Sequence, residues 1–341
     1  SGLVMYKKIS SLQKTNGLYL LDNKLYTFLN NKELLGEFSL QGEMLWSVES
    51  FPIYYRYHID SNRIIFYEDR EEENLVILDR KTKEVIYKNK IKLNITDDKC
   101  YIDNILYSFI DDRLIVYDLE KFSIIENRED TVEGIIFIPI NKFIVSRYST
   151  SIYIYIKNDF SLLWQQNIQD FFPDKEELCI YEIYSYKDTF IIIAGIGIVC
   201  LSQKDGHLLW RLNKGAFTME IVGNLGYVCT GLSLYWVNLD TGEKHGYGRK
   251  YDRLPDFEYN GKNHWPSGHR VVYHKGLLWY SVYSSGESFI IAIDPETANY
   301  QWIHKVETYE KVMDIKFYDD KMFLLDSGNT LFIYEEDTFL S

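Results

Sequence analysis

Four histidines fall close together in the second half of the chain: His245, His264, His269 and His274. Imidazoles this near in sequence could converge on a transition metal. No HxH or HExxH spacing orders them, so ordinary packing or surface roles account for them equally well. The four cysteines, Cys100, Cys179, Cys200 and Cys229, lie far apart with no CxxC pair, which removes zinc spacing. They read as reduced thiols in or beside strands. No Ser/His/Asp set stands out. Gly195-Ile196-Gly197 reads as a tight turn between strands, not a phosphate cradle. The expectation is a chain that is not an enzyme, with no catalytic residue, no metal and no cofactor.

Other residues are suited to binding. Residues 247–267 read YGRKYDRLPDFEYNGKNHWPS, and in them Tyr247, Tyr251, Phe257, Tyr259 and Trp265 alternate with Arg249, Lys250, Arg253 and Lys262. Aromatic rings and Arg dominate binding hot spots, and a connection longer than about 15 residues is commonly functional or disordered. Arg249, Tyr251, Arg253, Tyr259 and Trp265 are therefore candidate partner contacts. The alternative is that the segment folds back as a plug or an extra hairpin. A second connection, residues 168–178, carries Phe171 and Phe172. An acidic loop carries Glu71, Glu72 and Glu73, which would steer a basic partner or simply form a solvated tip.

What positions these segments is a repeat of about 42 residues, visible eight times. Its clearest copies read IVCLSQKDGHLLW (198–210), LYWVNLDTGEKHG (234–246), IIAIDPETANYQW (290–302) and YIYIKNDFSLLW (153–164). Each copy parses into four strands, A to D. The period-2 alternation of Tyr26-Thr27-Phe28 supports such assignments. Gln41-Gly42, Asp205-Gly206 and Thr241-Gly242 place glycine where the C–D turn needs positive φ. Lys83 and Phe122 occupy that slot in copies two and three, so those turns look degenerate. The eighth copy ends one strand short, while residues 3–9 form an unassigned strand-like run. The expected fold is all-β: an eight-bladed propeller of four-stranded antiparallel blades, one domain over residues 1–341. The N-terminal strand should close it beside residues 330–334 and so remove an open edge. Seven blades is the alternative count, because blade three is short.

The pattern strand–Asp–x–x–Thr-Gly-Glu–x–x–Trp resembles the repeat of the quinoprotein-like, or PQQ-like, β-propellers. Asp240-Thr241-Gly242-Glu243 matches its turn, and Asp205-Gly206-His207-Leu208-Leu209-Trp210 matches the turn and its Trp. The resemblance covers essentially the whole chain. It implies that Trp46, Trp164, Trp210 and Trp302 pack between blades, with Tyr87 substituting in blade two. The quinone-dependent enzymes of that superfamily carry adjacent cysteines and a calcium site. This chain has no Cys-Cys pair, so the resemblance implies a non-enzymatic member. The Gly-His and Trp-Asp signature of WD40 repeats is missing.

Composition excludes other classes. The 341 residues carry a net charge of −13, against a nucleic-acid binder and against docking on anionic lipid. It permits a protein partner, a basic one included. Hydrophobic content of 46% is that of a folded protein. No run of about 18 apolar residues could span a membrane as a helix. Residues 1–4 read as additions ahead of a native start at Met5. On that reading no export signal was trimmed, and the expected location is the cytoplasm. Richness in Ile, Lys, Asn and Tyr points to an AT-rich bacterial genome. The resemblance includes assembly scaffolds and bacterial proteins that neutralise toxins. Three functions follow: an immunity protein, a scaffold or sensor module, and a small-ligand propeller or quinone-dependent enzyme.

Overall fold

The computed structural model describes residues 5–50, 57–68, 74–95, 98–129 and 136–337. Among them the strands form eight four-stranded antiparallel sheets and one two-stranded hairpin, the arrangement of an eight-bladed β-propeller. Blade three is a full four-stranded sheet, built from Tyr101–Ile102, Ile105–Ile110, Arg113–Asp118 and Ser123–Arg128. That removes the seven-bladed count. The chain divides into two compact units. Thr15–Ile168 holds blades one to four; Ser1–Lys14 with Gln169–Ser341 holds blades five to eight.

Strands B and C are buried on both faces, so they read as continuous apolar runs. Arg63–Tyr67 with Asn74–Asp79 and Thr189–Ile193 with Ile198–Ser202 are examples. Tyr26, Thr27 and Phe28 are all buried, although their sequence alternates. Thr27 satisfies its hydroxyl by donating to the Gly17 carbonyl at 2.7 Å. Alternation finds the strand but not its environment when neighbouring blades cover both faces.

The last blade is completed from the other end of the chain. Tyr6–Leu12 pairs antiparallel with Leu331–Glu336, from Tyr6 opposite Glu336 to Leu12 opposite Leu331. This is the closure expected from the sequence, shifted some residues toward the C-terminus. Tyr6 is buried, with its ring edge-on to Trp279 at 5.3 Å and tilted against Phe317 at 5.8 Å.

The C–D turns share one backbone conformation whatever residue they hold. Gly42, Lys83, Phe122, Phe160, Gly206, Gly242 and Ala298 all have positive φ, between 54° and 91°. Lys83 and Phe122 have thus drifted in sequence but not in shape. Their left-handed conformation costs about 1–2 kcal/mol relative to glycine. In six blades a β-bulge follows. Its extra residue, Leu45, Ile86, Ile125, Leu163, Leu209 or Gln301, directly precedes the position four residues after the left-handed one. The bulge leaves consecutive aliphatic side chains facing outward: Met44 and Leu45, Val85 and Ile86, Ile124 and Ile125, Leu162 and Leu163.

That fourth position is the aromatic slot. Trp46 packs on the core of blade two, under the Lys83 ammonium at 5.4 Å. Tyr87 stacks on Phe122, centroids 4.5 Å apart and 7° from parallel. Trp210 donates from Nε1 to the Leu239 carbonyl at 3.1 Å. Its ring lies so close to Gly242 that an added Cβ would fall 2.6 Å from it. Trp164 is buried, as a side chain packed between blades should be, whereas Trp46, Trp210 and Trp302 are half-buried. The D strand is the last of its sheet, and Trp46, Trp210 and Trp302 each keep part of the side chain open to solvent. Blade three has Glu126 in the slot, and Arg128 instead covers the Phe160 ring at 4.7 Å.

Two substitutions test this account. Gly242→Ala drives a methyl into Trp210 from a left-handed backbone and should destabilise the protein by about 2–4 kcal/mol in chemical denaturation. Tyr6→Ala empties the contact that fastens the N-terminal strand and should cost about 3–5 kcal/mol, with a lower midpoint for thermal unfolding.

Candidate partner-binding site

Blade six ends early. Its D strand is only Lys244–His245, without the bulge, and Gly246 stands where other blades carry the aromatic. A Cβ at Gly246 would sit 2.0 Å from Asp252 Oδ1, so the missing side chain makes room for the segment that follows. Tyr247 instead reaches blade seven, donating its hydroxyl to the Pro295 carbonyl at 2.8 Å.

The segment is fastened at three depths. Leu254, Phe257 and His264 enter the hydrophobic core of blades six and seven. Phe257 lies edge-on to Phe289 at 5.1 Å and near-parallel to His264 at 5.4 Å. His264 Nε2 is 3.1 Å from Glu287 Oε2 but out of hydrogen-bond alignment. Next, Phe257–Tyr259 and Lys262–His264 form a hairpin through Asn260 (φ 51°) and Gly261 (φ 75°). Two successive left-handed residues make the turn that matches strand twist. The hairpin alternative is therefore realised, and Asn260-Gly261 was the signal for it. Finally, the buried Asp252 carboxylate accepts from Lys214 Nζ and Lys244 Nζ, each at 2.7 Å. Both ammonium groups also lie over the Tyr235 ring, at 5.3 and 5.5 Å. Burial alone would raise the Asp252 pKa, but the two lysines outweigh it and hold it below the ordinary carboxylate range.

On this base the candidate residues separate. Tyr251 is 75% exposed and Trp265 is 44% exposed. Arg253 is half-exposed and ion-paired with Asp256 at 2.9 Å. Arg249 is drawn partly inward, its Nη1 sealed from solvent without an acceptor. Tyr259 is half-buried against Phe289 and lines a cleft of about 430 Å3 with Lys305, Glu307, Thr308 and Tyr309. Tyr309, 88% exposed, was not singled out by sequence, since it stands alone in a short connection.

Phe171 and Phe172 differ from one another. Phe172 is 2% exposed, and a Cβ on Gly197 would fall 2.4 Å from its ring. It is an interior residue and not an open contact, because the side-chain-free surface at Gly197 receives it. Phe171 is half-buried, and its carbonyl accepts from Arg211 Nη1 at 2.7 Å. Lys214, three residues on from Arg211, reaches the Tyr251 carbonyl at 3.5 Å, so this connection adjoins the insert. Glu71, Glu72 and Glu73 lie outside the described residues.

Among the described residues no group of three or more His, Cys, Asp or Glu side chains is placed to hold a metal. His245 stacks on Trp236 at 4.0 Å, and His274 stacks on Phe317 at 3.9 Å. Burial lowers the His274 pKa, helped by Lys275. The His269 side chain is outside the described set.

Asp252→Asn tests the clamp. Removing the charge leaves two lysines facing a neutral group and should cost about 3–5 kcal/mol near neutral pH. A depressed carboxyl pKa contributes stability above the unfolded value of about 3.9, lost as pH falls through the folded one. The gap between wild type and variant should therefore be full at neutral pH and narrow below about pH 4, read by urea denaturation across pH.

No family model matches the chain, and no curated protein matches it. Solved structures do. The computationally designed Ika8 protein aligns with a TM-score of 0.65 at 12% identity, over 96% of this chain and 98% of its own. BamB from Moraxella catarrhalis aligns at 0.64 with 8% identity, covering 97% and 98%. The Neurospora crassa Pan2 WD40 domain aligns at 0.53 with 10% identity, covering 98% and 96%. At such identities the likeness establishes a shared β-propeller fold and nothing narrower.

Proposed function

We propose that the chain is a non-catalytic, protein-binding β-propeller of the quinoprotein-like repeat type, and within that class a bacterial immunity protein acting in the cytoplasm. The observation that carries the binding role is the pairing of exposure with anchorage in the blade six–seven insert. Tyr251, Arg253 and Trp265 face solvent, while Asp252, Leu254, Phe257 and His264 between them are buried. Large side chains held out by a rigid base lose little entropy on binding. The propeller fold is one commonly used for protein interaction, which agrees with this reading. The surplus of acid, −13 overall, supports a basic toxin as partner, since opposite charge speeds encounter. Among the described residues no helix is long and apolar enough to cross a membrane.

The test is a growth assay joined to a binding assay. A toxin encoded beside this gene should arrest growth alone and not when co-expressed with the wild-type chain. Tyr251→Ala, Arg253→Ala and Trp265→Ala combined should weaken binding by about 100-fold or more and abolish protection, while thermal stability changes little. Unchanged affinity, with loss caused only by changes at the opposite turns such as Lys204 or Asp205, would place binding elsewhere.

A further inference from the structure

His58 lies apart from the insert, in strand A of blade two, Tyr57–Ile59. It is 6% exposed. Its ring lies flat on Tyr101, centroids 3.6 Å apart and 6° from parallel, and meets Tyr19 edge-on at 5.7 Å. Nδ1 is 2.8 Å from Asp98 Oδ1, which also accepts the Tyr19 hydroxyl at 2.7 Å. A carboxylate only accepts, so in the neutral ring the proton sits on Nδ1 and Nε2 is left as a bare acceptor. Among the described residues no protein group meets Nε2. The ring forms part of the wall of a cleft of about 190 Å3.

Most of the rest of the wall comes from the A–B turns of blades two and three, with Tyr101 and Leu119 beside them. Arg63 donates there from Nη1 to Asp60 Oδ2 at 3.1 Å and to Asn104 Oδ1 at 2.8 Å. Asp60 Oδ1 accepts the backbone N–H groups of Asn62 and Arg63. The one cation of the wall is thus neutralised by Asp60. The Asp103 carboxylate, also in the wall, has no cationic partner among the described residues. What the cleft offers is an open imidazole nitrogen, an unpaired carboxylate and the remaining lone pairs of Asp60 and Asn104. With Asp60 and Asp103 against the single Arg63, the wall carries excess negative charge, and a cationic N–H group would find several acceptors there.

We propose that this cleft receives a guanidinium or ammonium group, carried either by a basic side chain of a protein partner or by a small free amine. The inference stands independently of the contacts assigned to the insert.

The test uses the whole chain with labelled histidine, followed by NMR. At about pH 8 the His58 nitrogens should show the proton on Nδ1. N-acetyl-argininamide should shift the His58 ring signals saturably, about ten-fold more tightly than its neutral isostere N-acetyl-citrullinamide. Asp103→Asn, which keeps a residue tolerant of the φ of 47° at that position, should weaken this binding about three-fold without changing the His58 tautomer or the thermal midpoint. Agmatine provides the second arm. Tighter binding of agmatine than of the acetylated amide identifies a free amine as the source, and the reverse order identifies a partner side chain. Absence of saturable shifts, equal binding of the citrulline compound, or a proton on Nε2 overturns the proposal.

Discussion

Contact between successive blades within each unit depends on a single backbone torsion, repeated. A left-handed residue in the C–D turn returns the chain with one residue too many, and the surplus is absorbed as a bulge. The bulge rotates the next side chain out of the blade's own plane and toward its neighbour. Four residues after the turn, that side chain meets the corresponding turn of the following blade. Trp46 over Lys83, Tyr87 on Phe122 and Trp210 on Gly242 are three versions of one contact. The shape of the turn is kept because the contact needs it, even where a lysine or a phenylalanine must bear the strain.

This explains which parts of the fold were legible. Period, blade number, closure and aromatic slots could be read because each is marked by a residue type at fixed spacing. The closing strand was placed a few residues early, since the apolar residues before Lys7 read as strand while Ser10 and Ser11 do not, and only the register against Leu331–Glu336 decides the pairing. Drift at Lys83 and Phe122 looked like loss because sequence records the residue and not its φ. Burial of Phe172 was hidden for a related reason. A Phe-Phe pair does not say which ring turns inward, and the deciding feature is a glycine 25 positions away, Gly197. The cluster around His58 draws on residues 19, 58, 98 and 101, so no local pattern announces it.

The insert between blades six and seven departs from the repeat in a connected way. Blade six lacks the bulge and the aromatic, and both absences are filled from the insert: Asp252 fits over Gly246, and Tyr247 reaches the next turn. A segment that completes the inter-blade packing cannot move freely without disturbing it. Its outward rings are therefore held by the same forces that hold the blades together, and local opening of the insert would compete with core stability.

The bulges on the outer strands also govern how one molecule meets another. In blades one to four the D strand ends its sheet beside exposed aliphatic pairs such as Val85 and Ile86 or Ile124 and Ile125. Flat edges of that composition would template cross-β stacking between chains. An extra residue in the middle of the strand breaks the even row of amides and carbonyls and bends the edge, so an incoming strand finds few partners in register. The distortion that aims the aromatics inward therefore also keeps a crowded solution of these molecules from polymerising edge to edge.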